Sequence, residues 1–376
     1  MMNICVIGGG NIGTYLAAYT SLKDDVRVWM YTSKPGNFAS SIELIEEEKN
    51  IIHNVNLYCV TNDLEDAVKN ADIIFITYPS FMIGELLEEI NPYVKTGAWI
   101  GIVPGFGGAE FYKQRFIDKG CTFFGTQRVP VIARLKEYGK SVYLKQKNEF
   151  MKIAVLPIEE SDEVVNTVSN LIDIPCIKLS TYLAVTLSPS NPVMHPSRLY
   201  ELFKDYEPGK VIYDRNPLFY EEWGNIASDC LLKLDDEIQL IFEKVSNVNK
   251  EDVETIRGRF NVKNPNDLTN KINNACGFRG IYSPMIKVEN GFIPDLESRY
   301  FTEDLPFGTC IIKGVAEIYN VKTPKLDEII TWCQKLLKKE YIIGDKLIGK
   351  DVNKLLIPQN NGISTMKDLE KFYDLI

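Results

Sequence analysis

A glycine-rich run near the amino terminus has the spacing of a dinucleotide-binding turn. Gly8, Gly10 and Gly13 follow the apolar segment 3–7, and a second apolar segment, 26–31, comes one βαβ unit later. The first glycine permits a tight turn, the second lets the backbone approach a pyrophosphate, and the third lets helix and strand pack closely. The run predicts bound NAD or NADP, with a purely structural turn as the alternative. The expected cofactor-binding residues of the turn are Gly8, Gly10, Asn11, Ile12 and Gly13.

The residues that follow the second strand bear on the choice of cofactor. A carboxylate at this position bonds the ribose hydroxyls of NAD and repels the 2′-phosphate of NADP. Here no carboxylate is present, and Thr32, Ser33 and Lys34 offer groups that suit a phosphate. NADP is therefore tolerated on physical grounds, and an exposed polar turn is the alternative. Tyr78 and Pro79, directly after a later strand, either flank the cofactor or simply end that strand.

Of the two histidines in the chain, His195 has the setting of an acid–base residue. It lies in the run 188–196, at the junction of the two predicted domains, where a cleft is expected. Reduction of a carbonyl or an imine by hydride needs a proton donor whose pKa is near the working pH, and histidine meets that need. His53 lies in a strand-like segment without catalytic neighbours and is predicted to be structural or exposed.

A third cluster, at residues 298–308, combines a cation with carboxylates. Arg299 could clamp a substrate carboxylate through two hydrogen bonds. A carboxylate such as Glu303 or Asp304 could fix the tautomer of a catalytic histidine or hold an ammonium group. A solvated charge cluster is the alternative that the spacing leaves open.

Several blocks of the sequence together resemble the octopine (opine) dehydrogenase family. They lie at residues 8–13, 191–196, 299–304, 339–341 and 349–352. The resemblance runs nearly end to end and implies a Rossmann domain followed by an all-helical domain, with substrates in the cleft between them. It also implies coupling of an amino acid to a 2-oxo acid, typically pyruvate, and reduction of the imine with NADH or NADPH. By this resemblance His195 is the acid–base residue, Asp304 is its partner, and Arg299 is a ligand of a substrate carboxylate.

The run 125–134, at the edge of the expected cleft, bears on the amino donor. A family member that uses arginine would be expected to place a carboxylate near the guanidinium, because a buried cation needs a partner. The run offers Gln127 and Arg128 instead, which favours a neutral or acidic donor and predicts that octopine is not the product. Substrate binding is expected at Gln127, Arg128, Asn191, Arg299 and Tyr300.

These residues need a sheet to position them, and the first half of the chain has the pattern of one. Apolar strand-like segments alternate with helical patterns, which predicts an α/β fold with a doubly wound, Rossmann-type sheet. Further strands are predicted at 57–60, 72–77, 99–103, 122–126, 141–146, 151–156 and 176–179, the last three extending the sheet. Helices are predicted between strands at 64–69, 81–91 and 109–119.

Beyond about residue 183, long helical patterns such as 221–245 and 324–338 replace the strand-like alternation. We therefore expect a dinucleotide-binding domain over residues 1–183 and an all-helical C-terminal substrate domain over residues 184–376.

Composition excludes several classes of function. The 376 residues carry a formal net charge of -9, which argues against a general binder of nucleic acid or of anionic membranes. Eight cysteines without a C-x-x-C pair, together with two histidines, give no familiar zinc pattern and are typical of reduced thiols. We expect a cytoplasmic protein with small-molecule substrates, no metal and no membrane span, and a homodimer stays open.

Two other functions stay open as alternatives. A two-domain dehydrogenase for ketopantoate or glycerol 3-phosphate usually relies on a lysine in the helical domain, and no lysine here has a comparable setting. A nucleotide-sensing module without turnover would not need His195, Arg299 and Asp304 together. The sequence leaves open the amino acid, the 2-oxo acid, the preferred cofactor, the direction in the cell and the oligomeric state.

Overall fold

The computed structural model describes every residue from Met1 to Ile376 and divides into two units, Met1–Val185 and Thr186–Ile376. Its strands are β1 (Met2–Ile7), β2 (Val26–Tyr31), β3 (Ile42–Glu46), β4 (Ile51–Val55), β5 (Cys59–Thr61), β6 (Ile73–Ile76), β7 (Trp99–Ile102), β8 (Thr122–Thr126), β9 (Val131–Glu137), β10 (Ser141–Lys147), β11 (Met151–Leu156), β12 (Cys176–Lys178), β13 (Met285–Val288) and β14 (Gly291–Pro294). Its α-helices are α1 (Asn11–Thr20), α2 (Leu64–Val68), α3 (Ser80–Ile90), α4 (Gln114–Ile117), α5 (Ser161–Ile172), α6 (Leu183–Thr186), α7 (Asn191–Phe203), α8 (Asn225–Glu243), α9 (Ile256–Phe260), α10 (Pro265–Asn273), α11 (Arg299–Thr302), α12 (Cys310–Ile318), α13 (Pro324–Leu336) and α14 (Met366–Phe372).

The first unit is organised by an eight-stranded sheet of order β12-β11-β8-β7-β6-β1-β2-β5. All neighbouring strands are parallel except β11 and β8. The chain moves outward from β1 through β2 and β5 on one side, and then returns to fill the other side with β6, β7 and β8. Ligands of such sheets bind at the carboxyl ends of the strands where this order reverses, which here lies between β1 and β6.

Burial on both faces explains why the central strands are continuous apolar runs. Residues 4–7 of β1 are fully buried, and residues 73–76 of β6 are at most 1% exposed. A parallel strand that is covered on both faces gains from an apolar side chain at every position rather than at every second one. The sequence therefore locates these strands well, although it does not show their order.

A second, four-stranded sheet of order β4-β3-β10-β9 packs against α1. Every residue of α1 from Gly13 to Thr20 is buried. The segment 141–146, predicted to extend the main sheet, instead pairs with β3 and β9 in this second sheet, so that prediction is wrong. His53 also lies in this sheet, where its Nε2 is 2.9 Å from Glu46 Oε1, a structural contact.

The second unit is helical apart from one hairpin, formed by β13 and β14. Its long helix α8 lies within the predicted helical range 221–245, and α13 begins at Pro324 as the pattern indicates. In the first unit, the predicted helix at 109–119 is interrupted, because a 3₁₀ turn, Ala109–Tyr112, precedes α4. None of the helices combines the length and the apolar character that crossing a membrane requires.

Candidate active site

The turn between β1 and α1 is packed so tightly that two of its glycines admit no side chain. Gly8 has a φ of +120°, and a Cβ on it would lie 2.5 Å from Thr77 Oγ1. A Cβ on Gly13 would lie 1.8 Å from the carbonyl oxygen of Gly8. The Thr77 hydroxyl donates to the carbonyl oxygen of Ile7 at 3.1 Å, which ties the end of β6 to this turn. The turn is therefore fixed at the point where the strand order reverses.

Gly10 differs from these two glycines, because a Cβ on it would meet no atom within 4 Å. It directly precedes α1, whose first N–H groups, including those of Asn11 and Ile12, have no acceptor within the helix. The side chain of Asn11 is engaged elsewhere, since its Oδ1 accepts a hydrogen bond of 2.8 Å from the Leu135 N–H. Open space beside unpaired N–H groups at a helix N-terminus suits a pyrophosphate, so the turn fits the predicted dinucleotide.

The end of β2 presents one buried and two exposed polar residues. Thr32 is buried, and its Oγ1 lies 2.9 Å from Tyr138 Oη. The hydroxyl of Thr32 thus makes a contact inside the unit, and its role as a phosphate ligand stays a prediction. Ser33 and Lys34 are exposed, and no carboxylate lies at the end of the strand. The cationic group available there is that of Lys34.

Tyr78 and Pro79 lie beside the glycine turn, between β6 and α3. Tyr78 is half-buried, and its Cδ1 would be 3.2 Å from a Cβ on Gly8. Burial raises the pKa of Tyr78 to about 12, so its hydroxyl stays protonated and can donate a hydrogen bond. Pro79 is the residue before α3. Their role in flanking the cofactor stays a prediction.

A buried histidine is the centre of the candidate site in the second unit. His195, in α7, is 7% exposed, its Nδ1 is 2.7 Å from Asp304 Oδ2, and its Nε2 is 2.9 Å from Tyr220 Oη. Because an ionised carboxylate only accepts hydrogen bonds, Nδ1–H donates to Asp304, and the lone pair of Nε2 accepts from the Tyr220 hydroxyl. The ring can therefore take up a proton at Nε2 while Asp304 stabilises the resulting imidazolium.

Aromatic rings enclose this pair and keep water away from it. The ring of Tyr300 is centred 4.1 Å from the His195 ring, and Phe219 stacks on Tyr300 at 4.9 Å. Burial raises the pKa of Asp304, while the charge and the hydrogen bond of His195 act in the opposite direction. The carboxylate form of Asp304 therefore depends on its contact with His195.

A proline inside α7 helps to bring His195 to Asp304, which lies 109 residues later in the sequence. Pro196 has no N–H to donate to the carbonyl of Pro192, four residues earlier in the helix. That carbonyl instead accepts a hydrogen bond of 2.9 Å from Thr309 Oγ1. Pro196, the residue that follows His195, thus creates a point of attachment for the segment that carries Asp304.

The segment after Asp304 is a π-helical turn, Leu305–Thr309. The Thr309 N–H donates to the carbonyl oxygen of Asp304, five residues earlier, at 3.0 Å. Pro306 lacks an N–H for the ordinary α-helical bond at this point, which favours the wider turn. A Cβ on Gly308 would lie 2.2 Å from Pro192 Cβ, so only glycine lets α7 approach this closely.

The predicted substrate residues of the second unit surround this centre to different degrees. Tyr300 contacts the His195 ring, as described. Asn191 is exposed at the first position of α7, four residues before His195, and so lies on the same face of the helix. Arg299 has an exposed side chain, and its Nε donates to Glu303 Oε2 at 2.5 Å. Its two terminal nitrogens make no hydrogen bond within the protein, so they can receive a carboxylate.

Two predicted substrate residues lie in the first unit. Gln127 is 5% exposed, and its Nε2 donates to the carbonyl oxygen of Ala184 at 3.1 Å. The role of Gln127 in substrate binding stays a prediction. Arg128 is partly exposed.

Sequence reasoning missed Tyr220, whose hydroxyl contacts Nε2 of His195. The residue stands in the run Phe219–Tyr220 before Trp223, and its ring stacks on Phe278 at 4.3 Å. A cluster of aromatic residues in a loop has the composition of ordinary core packing, and no motif marks it. Only the fold shows that the hydroxyl of Tyr220 faces His195.

The two halves of the chain match two different family models. Residues 178–337 match that of the NAD/NADP octopine/nopaline dehydrogenase, alpha-helical domain, and residues 3–117 match that of the NAD-dependent glycerol-3-phosphate dehydrogenase N-terminus. The chain is 30% identical over 398 residues to a tauropine dehydrogenase of Arabella iricolor, covering 98% of this chain and 100% of that protein. It is 29% identical over 401 residues to an opine dehydrogenase of Haliotis discus hannai, covering 98% of each.

Solved structures share the fold. A structure of octopine dehydrogenase with NADH and L-arginine aligns with a TM-score of 0.85 at 24% identity, covering 98% of both chains. A structure of yersinopine dehydrogenase with NADP⁺ bound aligns with a TM-score of 0.67 at 14% identity, covering 90% of this chain and 91% of that one. The predicted fold class, a Rossmann-type sheet followed by an α-helical domain, is confirmed.

Because a Cβ would clash at Gly13 but not at Gly10, we expect Gly13→Ala to lower stability and Gly10→Ala to weaken NADH binding. Gly13→Ala forces a Cβ against the Gly8 carbonyl, and we expect it to lower the free energy of unfolding by about 3 kcal/mol. Gly10→Ala adds a methyl group where the protein has no atom, so the free energy of unfolding should change by less than about 1 kcal/mol. The same methyl group should weaken NADH binding at least about 10-fold, because it occupies the space for the pyrophosphate.

Urea unfolding and NADH fluorescence titration measure the two effects. Wild-type NADH affinity in Gly10→Ala would contradict the placement of the pyrophosphate.

Proposed function

The chain belongs to the opine dehydrogenase family, and from this premise we propose that His195 is the acid–base residue of an NAD(P)H-dependent opine dehydrogenase. The reaction couples a 2-oxo acid to the amino group of an amino acid and reduces the resulting imine to a secondary amine. The observation that carries the assignment of His195 is its buried contact with Asp304, at 2.7 Å, which holds Nδ1 and makes Nε2, beside the Tyr220 hydroxyl, the nitrogen that exchanges a proton. The matching family models cover both the nucleotide-binding and the helical part of the chain.

In the proposed reaction, residues of the second unit transfer a proton and hold the His195 ring in its orientation. Bound NADH or NADPH supplies the hydride that reduces the carbon of the C=N bond, and the turn at Gly8, Gly10 and Gly13 would hold its pyrophosphate. His195 donates a proton from Nε2 to the substrate, and Asp304 stabilises the charged ring and holds its orientation. Tyr220 donates to Nε2 when the ring is neutral and so keeps that nitrogen directed towards the reacting group.

Arg299 is proposed as the ligand of a substrate carboxylate. Its Nε is held by Glu303, and its two terminal nitrogens make no hydrogen bond within the protein, which allows a second, bidentate partner. Glu303 thus orients the guanidinium rather than neutralising it entirely. The resemblance to the family gives Arg299 the same role.

We propose a neutral or acidic amino donor rather than arginine, because the run at Gln127 and Arg128 brings no carboxylate for a second guanidinium. We also propose residues 1–183 as the dinucleotide-binding domain and 184–376 as the substrate domain. A cytoplasmic location is proposed from the eight cysteines, all of which are free. A homodimer stays a prediction.

A matrix of amino acids against 2-oxo acids, read by oxidation of NADH and NADPH, tests the function. We expect oxidation that requires both a 2-oxo acid and an amine. Oxidation with a 2-oxo acid alone would favour a simple 2-oxo acid reductase, and a preference for L-arginine over all neutral and acidic amino acids would contradict the proposed donor class.

His195→Asn tests the acid–base assignment. The variant keeps a polar side chain of similar size but has no titratable nitrogen, so we expect kcat to fall about 1,000-fold. The dissociation constant of NADH, measured by fluorescence, should stay within about 3-fold of the wild type, because no residue of the glycine turn changes. Unchanged turnover in this variant would rule out the assignment.

Tyr220→Phe removes the hydroxyl group at Nε2 and keeps the ring that stacks on Phe278. The lost hydrogen bond is worth about 1 kcal/mol, so we expect kcat to fall about 5-fold. Tyr282→Phe is the matched control, because the Tyr282 side chain is 64% exposed. If Tyr220→Phe and Tyr282→Phe have the same kcat, the contact with Nε2 is not used in catalysis.

Lys34→Glu tests the cofactor preference. A carboxylate at this position repels a 2′-phosphate, so we expect the KM for NADPH to rise at least about 10-fold and that for NADH to change less than about 3-fold. Lys136→Glu changes the charge of the same unit equally, at an exposed position in β9, and serves as the control. An equal response of both cofactors to Lys34→Glu would show that Lys34 does not face the ribose.

A further inference from the structure

One arginine of the second unit is partly enclosed and has no carboxylate partner. The Nη1 of Arg259, in α9, lies 3.3 Å from Ser190 Oγ, and its guanidinium lies 5.4 Å from the centre of the Phe260 ring. Burial lowers the pKa of Arg259, and the charge of Glu254 acts in the opposite direction without forming an ion pair with it. The side chain is still partly exposed, so a small molecule can reach it.

The other arginines of this unit are either paired or fully exposed to water. Carboxylates pair with Arg198, Arg215, Arg257 and Arg299. Arg279 is exposed and needs no partner other than water. Arg198 is the most instructive comparison, because it is buried and the protein supplies Glu201 for it. Arg259 is the enclosed arginine for which the protein supplies none.

A cation that is partly removed from water without a counterion is costly, and the cost is recovered when an anion binds to it. A guanidinium presents two parallel N–H groups, which match the two oxygens of a carboxylate or of a sulfonate. The Ser190 hydroxyl adds a further polar group beside it. The chemistry of this pair is that of a receptor for an acid group.

The position of Arg259 relates this receptor to the catalytic histidine. Ser190 is the residue before α7, and His195 is the fifth residue of that helix. The axial separation of the two is about 7.5 Å, from a rise of about 1.5 Å per residue. The N-terminus of α7, which has thirteen residues, adds a favourable field for an anion at the same place.

An opine carries two acid groups, one from each substrate, so its site needs two receptors. The acid group of the 2-oxo acid is bonded directly to the reacting carbon. That of the amino donor is separated from this carbon by the nitrogen and one or two further carbons, so it needs the receptor farther from the reaction centre. Arg299, next to Tyr300 at the His195 ring, suits the first group, and Arg259 suits the second.

We propose that Arg259, together with Ser190, binds the acid group of the amino donor, a carboxylate or a sulfonate. The inference rests on the proposed opine dehydrogenase activity and adds the residue that selects for an acid group on the donor. It makes the enzyme prefer acid-bearing donors over amines that have the same reactive nitrogen but no acid group.

The test compares donors with and without an acid group in Arg259→Met. L-alanine and taurine carry one, and ethylamine does not. We expect kcat/KM for L-alanine or taurine, whichever the wild type uses better, to fall about 100-fold, the effect of losing one partner of an enclosed charged pair. The value for ethylamine and the KM for pyruvate should stay within about 3-fold, because neither depends on this contact.

Arg257→Met is the matched control, since Arg257 lies two residues earlier in α9 and pairs with Asp236 on the surface. It should leave all these values unchanged, and Arg259→Lys should recover part of the loss. Calorimetric titration of the acid-bearing donor into the NADH-loaded protein, without pyruvate, should show the same loss of affinity without turnover.

Three results overturn the proposal: an equal loss for ethylamine, a rise in the KM for pyruvate instead of that for the donor, or no difference between Arg259→Met and Arg257→Met. Absence of amine-dependent oxidation in the wild type would instead refute the proposed function. The two failures are therefore distinguishable.

Discussion

The hydrogen bond between His195 and Asp304 is the contact on which the second unit depends. Both side chains are less than 10% exposed, at 7% and 6%, so both are removed from the water that would otherwise solvate them. Such a pair is tolerated only when its remaining polar atoms are also satisfied. Tyr220 meets this need at Nε2, and the contact of Thr309 with Pro192 joins the two segments that carry the pair. The packing of the second unit and the proposed acid–base role of His195 therefore both require that the imidazole ring be held in one orientation.

The nucleotide-binding turn achieves its function by a different principle, the absence of side chains. Gly8 and Gly13 are required because the backbone itself fills the space where a Cβ would lie, whereas Gly10 leaves space open. A site made from backbone N–H groups depends on residues that are adjacent in the sequence. This local character is why the turn could be predicted from the sequence, whereas the contact of His195 with Asp304 could not be derived from spacing alone.

The same difference explains how much of the structure the sequence reveals. Buried strands of the main sheet such as β8 and β11 have the predicted bounds, because continuous apolar runs mark them. The segment of β10 was recognised as a strand, but its partners are β3 and β9, and pairing is a property of the whole fold that periodicity does not encode. Thr32 has the residue type of a phosphate ligand, and its hydroxyl group makes a hydrogen bond with Tyr138, which is distant in the sequence. Tyr220 and Arg259 were missed for a related reason. No sequence motif shows that the Tyr220 hydroxyl contacts His195 or that Arg259 forms no ion pair.

The charge of the chain also constrains how anionic substrates can bind. With a net charge of -9, the protein as a whole repels an anionic 2-oxo acid, whereas a neutral amino donor is a zwitterion without net charge. Salt at physiological concentration screens such long-range repulsion over about 8 Å, so the contacts within the site decide affinity. A cation that already forms an ion pair within the protein contributes little to that affinity. The attraction of an exposed cation for an anion is weakened, because water screens both charges. Arg299 keeps two nitrogens available beside Glu303, and Arg259 forms no ion pair with a carboxylate. In the proposed site these two arginines supply the local positive charge for the acid groups, so the overall negative charge of the chain does not prevent recognition.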